Sequence, residues 1–535
     1  MTPPVESNAP GAATRRYAFL VAAGIFLSRI AGLVRDRVFA HYFGNSFAAD
    51  AFRAAFRIPN ALQNMFGEGV LSASFIPVYA GLLARKDEAE ARRTAGAVAA
   101  ILALTISLLV LIGVVATPYL IPIIAPGFHG ETRELTIRLV RILFPGAGLL
   151  VSSAWCLGIL NSHRKFFLSY TAPVIWNIAM IATMLGYGAR NAPAALAVIV
   201  AWGSVAGSAL QVIVQLPTVL RLLHGLRLSL NYRAENVRTI VRNFVPVFVG
   251  RGVVQISAYV DVWLASLVPI VGAVASLSYA QTLYTLPVSL FGMSVSAAEL
   301  PQMSGALGSE TEVAAILRAR LNAGLRQIAF LVVPSVAAFL ILGDVVVGAI
   351  YLTRGGRFTQ ADAMYVWGIL AGATVGLLAS TLGRLYSSTY YALRDTRTPL
   401  WFAIIRVALT TGLGYVCAIP LPHYLGIDPR WGVAGLTISA GVSSWIEFHL
   451  LRTALNRRIG QTGLPASYLA RVWLAALVAA GAGWAIHHFS PVRNSIVIAL
   501  IVLLPYGLIY FAATWLMGIE ECRALFGRVL KRVRG

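Results

Sequence analysis

Charged side chains are scarce in this sequence of 535 residues, where Asp, Glu, Lys and Arg together make up 12%. An ordinary soluble domain has roughly 25%. Apolar residues make up 58% of the chain, and a single soluble core cannot absorb that much apolar sequence. Because one membrane span needs about 20 apolar residues, the composition predicts an all-α integral membrane protein with about fourteen transmembrane helices.

The sequence also lacks recognisable catalytic and metal-binding motifs. Its three cysteines are far apart and form no CxxC pair, so neither a disulfide framework nor a zinc site is indicated. There is no GxSxG elbow, P-loop or HExxH motif. The longest predicted outer loop, 119–133, offers only Glu131, whereas a membrane glycosyltransferase needs an essential carboxylate there. The expectation is a transporter rather than an enzyme, without a cofactor, coupled to Na⁺, H⁺ or the membrane potential.

The positive charge is distributed as membrane topology requires. The net charge is +22, a balance that first suggests nucleic acid or a membrane surface. However, the basic residues concentrate in alternate gaps between apolar runs, which is the pattern that orients membrane proteins and not that of a compact nucleic-acid-binding domain. These gaps are 15–16, 85–93, 164–165, 221–238, 318–320, 394–397, 452–458 and 528–534. The pattern predicts a cell inner membrane protein with both termini in the cytoplasm.

The predicted spans suggest four regions. These are a cytoplasmic N-terminal tail (1–16), a first lobe of six helices (17–235), a second lobe of six helices (236–457), and a final helix pair with a basic tail (458–535). A weak repeat supports the two lobes, since Phe66-Gly67 and Phe291-Gly292 each lie between two prolines in corresponding spans. Six helices separate the copies, which predicts a parallel repeat with a substrate site between its halves.

One polar stripe marks the second span, predicted over 47–80. Its members recur at spacings of three and four residues, and they are Asp50, Arg53, Arg57, Asn60, Asn64 and Glu68. Residues at these spacings share one face of a helix. Because one charge at the bilayer centre costs about 2.5–3.5 kcal/mol on insertion scales, the stripe must face a water-filled cavity or interhelical partners.

The first span repeats this theme. Arg29, Gly32 and Asp36 share a face, and Arg35 lies about a third of a turn around the helix. These charges either pair to hold helices together or line a substrate path, and intramembrane ionisable groups favour the second interpretation. Guanidinium groups bind phosphate bidentately and stay protonated, so the arginines favour a pyrophosphate ligand over a cationic drug.

Charges in later spans extend the set of candidates. They are Arg251, Asp261, Glu299, Arg384, Arg406 and Glu447. Asp261 is a candidate either for holding a coupling cation or for pairing with Arg406, and the ion pair is favoured because a buried arginine needs a partner. No metal site is expected beyond this one candidate.

Several local motifs carry a family resemblance. They include Ser28 to Asp36 (SRIAGLVRD), Phe56 to Asn60 (FRIPN), Phe66 to Gly69 (FGEG) and Asp395 to Pro399 (DTRTP). With these motifs and its fourteen predicted spans, this sequence resembles the MurJ/MviN family of lipid II flippases in the MOP flippase superfamily.

The resemblance implies a V-shaped transporter of two six-helix lobes around a central cationic cavity, plus two C-terminal helices that hold the lipid tail. The cavity would take the pyrophosphate-sugar-peptide head group of lipid II, or that of another polyprenyl-pyrophosphate oligosaccharide. By position, Arg29 and Arg35 match the cavity arginines, and Asp50 and Glu68 match functionally important acids. Partners would be this glycolipid, membrane lipids and the cell-wall synthesis machinery.

Two departures from the family pattern reduce the positive charge expected in the cavity. Gln63 stands where the family commonly has arginine in span two, and Thr282 stands near a second such position in span eight. Arg53, Arg57 or Arg251 are candidates to compensate. Some family members hold sodium between spans seven, eleven and twelve, and we hypothesise that Arg406 replaces that ion beside Asp261.

Overall fold

The computed structural model describes the backbone of residues 12–524, and it describes their side chains except those of 12–22, 68 and 249–258. Within these residues the chain forms helices, turns and no strand. The predicted all-α class is therefore confirmed. Most of the predicted N-terminal tail and the basic residues 528–534 lie outside the described residues.

The described helices follow one another with short connections. They are α1 (Ala12–Phe43), α2 (Phe47–Phe66), α3 (Glu68–Ala84), α4 (Glu88–Ile124), α5 (Gly130–Ser162), α6 (Phe166–Tyr187), α7 (Pro193–Leu222), α8 (Glu235–Leu267), α9 (Ala273–Pro287), α10 (Ser294–Ser304), α11 (Glu310–Ile341), α12 (Gly343–Tyr351), α13 (Gln360–Thr374), α14 (Leu377–Ala392), α15 (Arg397–Ala418), α16 (Pro420–Tyr424), α17 (Gly432–Ile459), α18 (Ala466–Phe489) and α19 (Ser495–Leu516).

Each of the fourteen predicted spans coincides with one or two of these helices. Over the described part of the chain, ten helical stretches are long and apolar enough to cross a membrane, or eleven if the bent pair α13 and α14 is one span. Helices α1, α8 and α17 are not among them, and these helices carry Arg29, Arg251 and Glu447. The chain is a multi-pass membrane protein, and the number fourteen stays a prediction.

The chain divides into two compact units, Met1–Trp263 and Leu264–Gly535. The sequence-based boundary at 235/236 would assign α8 to the second lobe, whereas most of α8 belongs to the first unit. Ile240 of α8 packs into a core with Phe75, Trp155 and Leu223. This contact with α3, α5 and the end of α7 accounts for the placement of α8, and the lobe boundaries stay a prediction.

Helix α5 is central to the first unit, where it packs against α2, α3, α4 and α7. Small side chains let neighbouring backbones approach closely, as is typical of membrane helices. A Cβ at Gly203 of α7 would overlap the side chain of Thr183 on α6. The sequence supplies glycine where α6 and α7 cross.

The Phe-Gly dipeptides of the predicted repeat, Phe66-Gly67 and Phe291-Gly292, each interrupt a helix that was predicted to be continuous. The first interruption is at Gly67, between α2 and α3, where a Cβ would overlap the carbonyl oxygen of Gln63. In the second, α9 gives way to a π-helical segment, Val288–Met293, before α10 begins. Two spans that were predicted as single helices are thus divided at corresponding positions.

The last helix pair packs within the second unit. The Tyr510 hydroxyl on α19 donates to the carbonyl of Phe330 on α11 at 2.6 Å, and the Tyr468 hydroxyl on α18 donates to the carbonyl of Arg326 at 2.9 Å. These bonds satisfy polar groups that lipid cannot satisfy.

Candidate functional site

Three charged side chains meet where α1 turns back into α2. Gly44 takes a left-handed backbone (φ 57°) at this turn. The turn places Asp36 of α1 beside Arg53 of α2, with Nη1 3.3 Å from Oδ1. The same oxygen lies 3.1 Å from Arg35 Nη2, and Asp36 is only 4% exposed. One buried carboxylate therefore bridges two arginines.

Arg35 links this ion network to α6. Its Nη1 donates to Asn177 Oδ1 at 3.1 Å, across 142 residues of sequence. Its guanidinium also lies 5.1 Å from the centre of the Trp176 ring, within the range of a cation–π interaction. The Asn177 side chain is oriented in turn by donating to the carbonyl of Pro173 at 3.0 Å. These contacts fix the guanidinium plane of Arg35.

Arg53 and Asp50 have mainly buried surroundings. The Arg53 guanidinium lies 4.4 Å from the centre of the Phe39 ring. Asp50 is 4% exposed and lies in the first turn of α2, where a negative charge complements the helix dipole. Both observations favour a structural role for Asp50 and Arg53, the first two residues of the stripe.

A cavity of about 340 Å³ opens beside Arg35 within the first unit. Its polar lining includes Asn60, Gln63 and Asn177, and Trp176 contributes an aromatic wall. The Trp176 ring stacks on that of Phe56, with centroids 5.7 Å apart. Amide groups and aromatic faces surround one arginine here, an arrangement suited to an anionic group with hydroxyl or amide neighbours.

Two buried polar residues that were not predicted from the sequence, Ser153 and Gln211, complete the polar lining of the cavity. Gln211 donates to Ser153 Oγ at 2.8 Å, and that hydroxyl donates to Gln215 Oε1 at 2.6 Å. Gln211 and Gln215 are one helical turn apart in an otherwise apolar span, so the i, i+4 spacing of amides in α7 was the signal available.

Arg57 lies one helical turn after Arg53 on α2. Asp261 interacts electrostatically with Arg57, and the Tyr259 hydroxyl donates to the Ile58 carbonyl at 3.4 Å. In the second unit, Arg406 Nε lies 3.0 Å from Glu447 Oε2. The structure thus gives Asp261 and Arg406 each a partner in its own unit, and their pairing with one another stays a prediction.

The remaining predicted site residues are not brought into the network. Arg29 is exposed and forms no ion pair among the described side chains, and Asn64 is exposed as well. The side chains of Glu68 and Arg251 lie outside the described residues. Over the described part of the chain, no three His, Cys, Asp or Glu side chains are grouped as a metal ion would require.

The structure therefore brings Arg35, Asp36 and Arg53 into contact and places Asn60 on the adjoining cavity. Arg35 and Arg53 share one aspartate in this network, and Arg35 also lines the cavity. Such a site can hold one anionic group at the edge of a polar cavity. The functional roles of these residues stay predictions.

The chain is similar to known proteins over most of its length. The family model described as "Lipid II flippase MurJ" matches residues 39–519. A curated protein named "Lipid II flippase MurJ", from Burkholderia cenocepacia, is 28% identical over 523 residues, covering 94% of this chain and 97% of that protein.

Solved structures show the same fold. One titled "Lipid II flippase MurJ, inward closed conformation" superposes with a TM-score of 0.75 at 25% identity, covering 93% of this chain and 98% of the other. An inward-facing multidrug resistance MATE family transporter of the MOP superfamily superposes with a TM-score of 0.62 at 16% identity, over 82% of this chain and 98% of the other. Because the family model spans nearly the whole sequence, this chain belongs to the lipid II flippase MurJ family.

Proposed function

We propose that this protein is a transporter that moves lipid II from the inner to the outer leaflet of the cytoplasmic membrane by alternating access. The observation that carries the proposal is Arg35, which is held by Asp36 and Asn177 at the mouth of a polar cavity within a chain that matches the family over residues 39–519.

The chemistry of the cavity supports an anionic head group. Asp36 and Asn177 fix the guanidinium of Arg35, so little side-chain freedom is lost when an anion binds. A pyrophosphate can replace part of the network's internal pairing, while the amides of Asn60 and Gln63 and the ring of Trp176 are available to a sugar or peptide. We place substrate binding on Arg35 and Asn60 first, with Arg29, Asp36, Asp50, Arg53, Arg57, Glu68 and Arg251 as further candidates.

The membrane potential supplies a direction for this transport. The head group carries negative charge, and a potential that is negative inside favours its outward movement by about 2.3 kcal/mol per charge per 100 mV. No bound cation is needed for this contribution. Coupling to Na⁺ through Asp261 is a separate proposal, and ²²Na⁺ binding that is lost in Asp261→Asn would support it.

The first test replaces Arg35 and Arg29 separately by alanine, in cells where this chain is the only flippase. Arg354→Ala, at an exposed position in the second unit, is the matched control. We expect Arg35→Ala to stop lipid II export and growth at normal protein levels, while the control variant sustains both. Full activity of Arg35→Ala would contradict the proposed phosphate-binding role.

A second candidate substrate is another polyprenyl-pyrophosphate oligosaccharide. Gln63, where the family commonly has arginine, lines the cavity directly, so the cavity has one positive charge fewer than the family pattern implies. The discriminating experiment is complementation of lipid II flippase depletion by the unaltered chain, together with Gln63→Arg. Failure of both, with stable protein in the membrane, would favour the second substrate.

The proposed location is the cytoplasmic (inner) membrane, with both termini in the cytoplasm and the cell-wall synthesis machinery as neighbours. The alternation of basic residues between gaps supports this orientation. Reporter fusions at the C-terminus test it, since green fluorescent protein fluoresces there only if that end is cytoplasmic, whereas a periplasmic phosphatase would then be inactive.

A further inference from the structure

A second groove in the first unit lies on the surface where α5 and α7 pack together. Its volume is about 550 Å³, and it is lined by Glu134, Ile137, Arg138, Arg141, Ile142 and Trp202. None of these residues lines the cavity at Arg35. Arg138, Arg141 and Trp202 are exposed, so the groove is open to the surroundings of the protein.

The sequence of α5 indicates at which level of the membrane the groove lies. All charges of this helix lie in its first twelve residues, and residues 142–162 carry none. These 21 residues rise about 31 Å, which matches the hydrocarbon thickness of about 30 Å. Arg138 and Arg141 therefore lie where the hydrocarbon ends and the phosphate groups of the lipids begin.

The sequence of α7 independently indicates the same level in the membrane. From Trp202 the helix runs 19 residues to Arg221, a rise of about 28 Å, and Arg221 belongs to a basic gap at the opposite membrane surface. The apolar residues that precede Trp202 include Leu196, Ala197 and Val200, which are buried in the protein. Trp202, which is 58% exposed, occupies the interfacial level that tryptophan favours.

The arginines of the groove have no acidic partner. No described carboxylate lies within ion-pairing distance of Arg138 or Arg141, and Glu134, one turn away, does not pair with either. Arg141 Nε donates to the carbonyl of Val114 on α4 at 3.4 Å, which leaves its two Nη groups for a ligand. Two arginines and one glutamate give the groove a net positive charge at phosphate depth.

We propose that this groove binds the phosphate group of an anionic phospholipid, with Arg138 and Arg141 as the phosphate ligands and Trp202 against the glycerol and upper acyl region. Arginine forks suit phosphate oxygens, and an interfacial tryptophan suits the boundary between head group and acyl chains. The groove is open to the surroundings of the protein, as binding of a bilayer lipid requires. The proposal does not depend on which glycolipid the protein transports.

The test measures lipid binding to the full-length protein in nanodiscs of phosphatidylcholine with increasing phosphatidylglycerol. A photoreactive residue at Ile142, at the base of the groove, reports which lipid occupies it. We expect crosslinking to phosphatidylglycerol, and we expect the double variant R138Q/R141Q to lower the preference for phosphatidylglycerol over phosphatidylcholine about 25-fold. Each arginine near an anionic lipid surface contributes about a factor of five.

The matched control is R190Q/R493Q, which removes two exposed arginines outside the groove. It should leave crosslinking at Ile142 unchanged. An equal loss in both double variants would mean a general charge effect and overturn the proposal, as would unchanged crosslinking in R138Q/R141Q. If the double variant does not elute as a single species, R138Q alone tests the groove with an expected fivefold loss.

Discussion

The ion network of α1 and α2 leads to a specific prediction about the stability of the first unit. Replacing Asp36 by asparagine keeps the shape of the side chain but removes the one negative charge that Arg35 and Arg53 share. Two guanidinium groups, whose side chains are 18% and 15% exposed, then lose the carboxylate that lies between them. Asp36→Asn should therefore destabilise the first unit.

The magnitude follows from burial. Removing one partner of a fully buried pair costs about 3–5 kcal/mol, and residual exposure of both arginines screens part of this, so we expect a loss of about 2–3 kcal/mol. Arg53→Gln should cost only about 1 kcal/mol, because Asp36 keeps Arg35 as a partner. The double variant should lose less than the sum of the two single variants, because fewer unpaired charges remain.

The assay is the free energy of unfolding of the purified protein, measured by titrating a mild detergent with sodium dodecyl sulfate. The matched control is Asp428→Asn, since Asp428 pairs with Arg430 at the surface, where the two side chains are 50% and 54% exposed. The control should change stability by less than about 1 kcal/mol. If Asp36→Asn were no more destabilising than this control, or if the two single variants were strictly additive, the bridging role of Asp36 would be refuted.

Three further predictions concern single positions. Gly67→Ala should lower the unfolding free energy by about 2 kcal/mol, because its Cβ would overlap a backbone carbonyl, and Gly81→Ala, with open space at its Cβ, should not. Ser153→Ala should cost about 2 kcal/mol by leaving two buried amides unsatisfied, whereas Ser152→Ala, which loses only a bond within its own helix, should cost less than half of that. Backbone N–H donors hold the pKa of Asp395, in the loop between α14 and α15, at about 2, so its contribution is present above its unfolded value and is lost as pH falls from about 4 to 2. Thermal midpoints between pH 7 and pH 2 should thus converge for wild type and Asp395→Asn, and a constant difference between them would contradict this assignment.

The sequence was sufficient to predict that Asp50 and Arg53, the first two residues of the stripe on α2, turn away from lipid. Helical spacing is a local property, and the cost of a charge in hydrocarbon then decides which way the stripe faces. Asp50 and Arg53 accordingly lie in the protein interior. The same reasoning could not decide whether these charged residues pair with one another or bind a ligand. For Arg53 the structure favours pairing.

The contact between Arg35 and Asn177 was beyond sequence reasoning. A single asparagine in an apolar helix has many uses, and only the packing of α1 against α6 brings it to the arginine. The break at Gly67 was missed for a different reason. Glycine in a membrane helix usually serves close packing, so an isolated Phe-Gly dipeptide does not by itself predict an interruption.

The prolines of the first unit are distributed unequally among its helices. Helices α2 to α8 each contain at least one proline beyond the first turn, whereas α1 contains none. Each such proline removes one main-chain hydrogen bond and makes its helix easier to bend. The helices around Arg35 are therefore easier to bend than α1, which carries it. We therefore expect α1 to stay straighter than the surrounding helices when this unit changes shape, so that Arg35 moves less along the membrane normal than the residues around it.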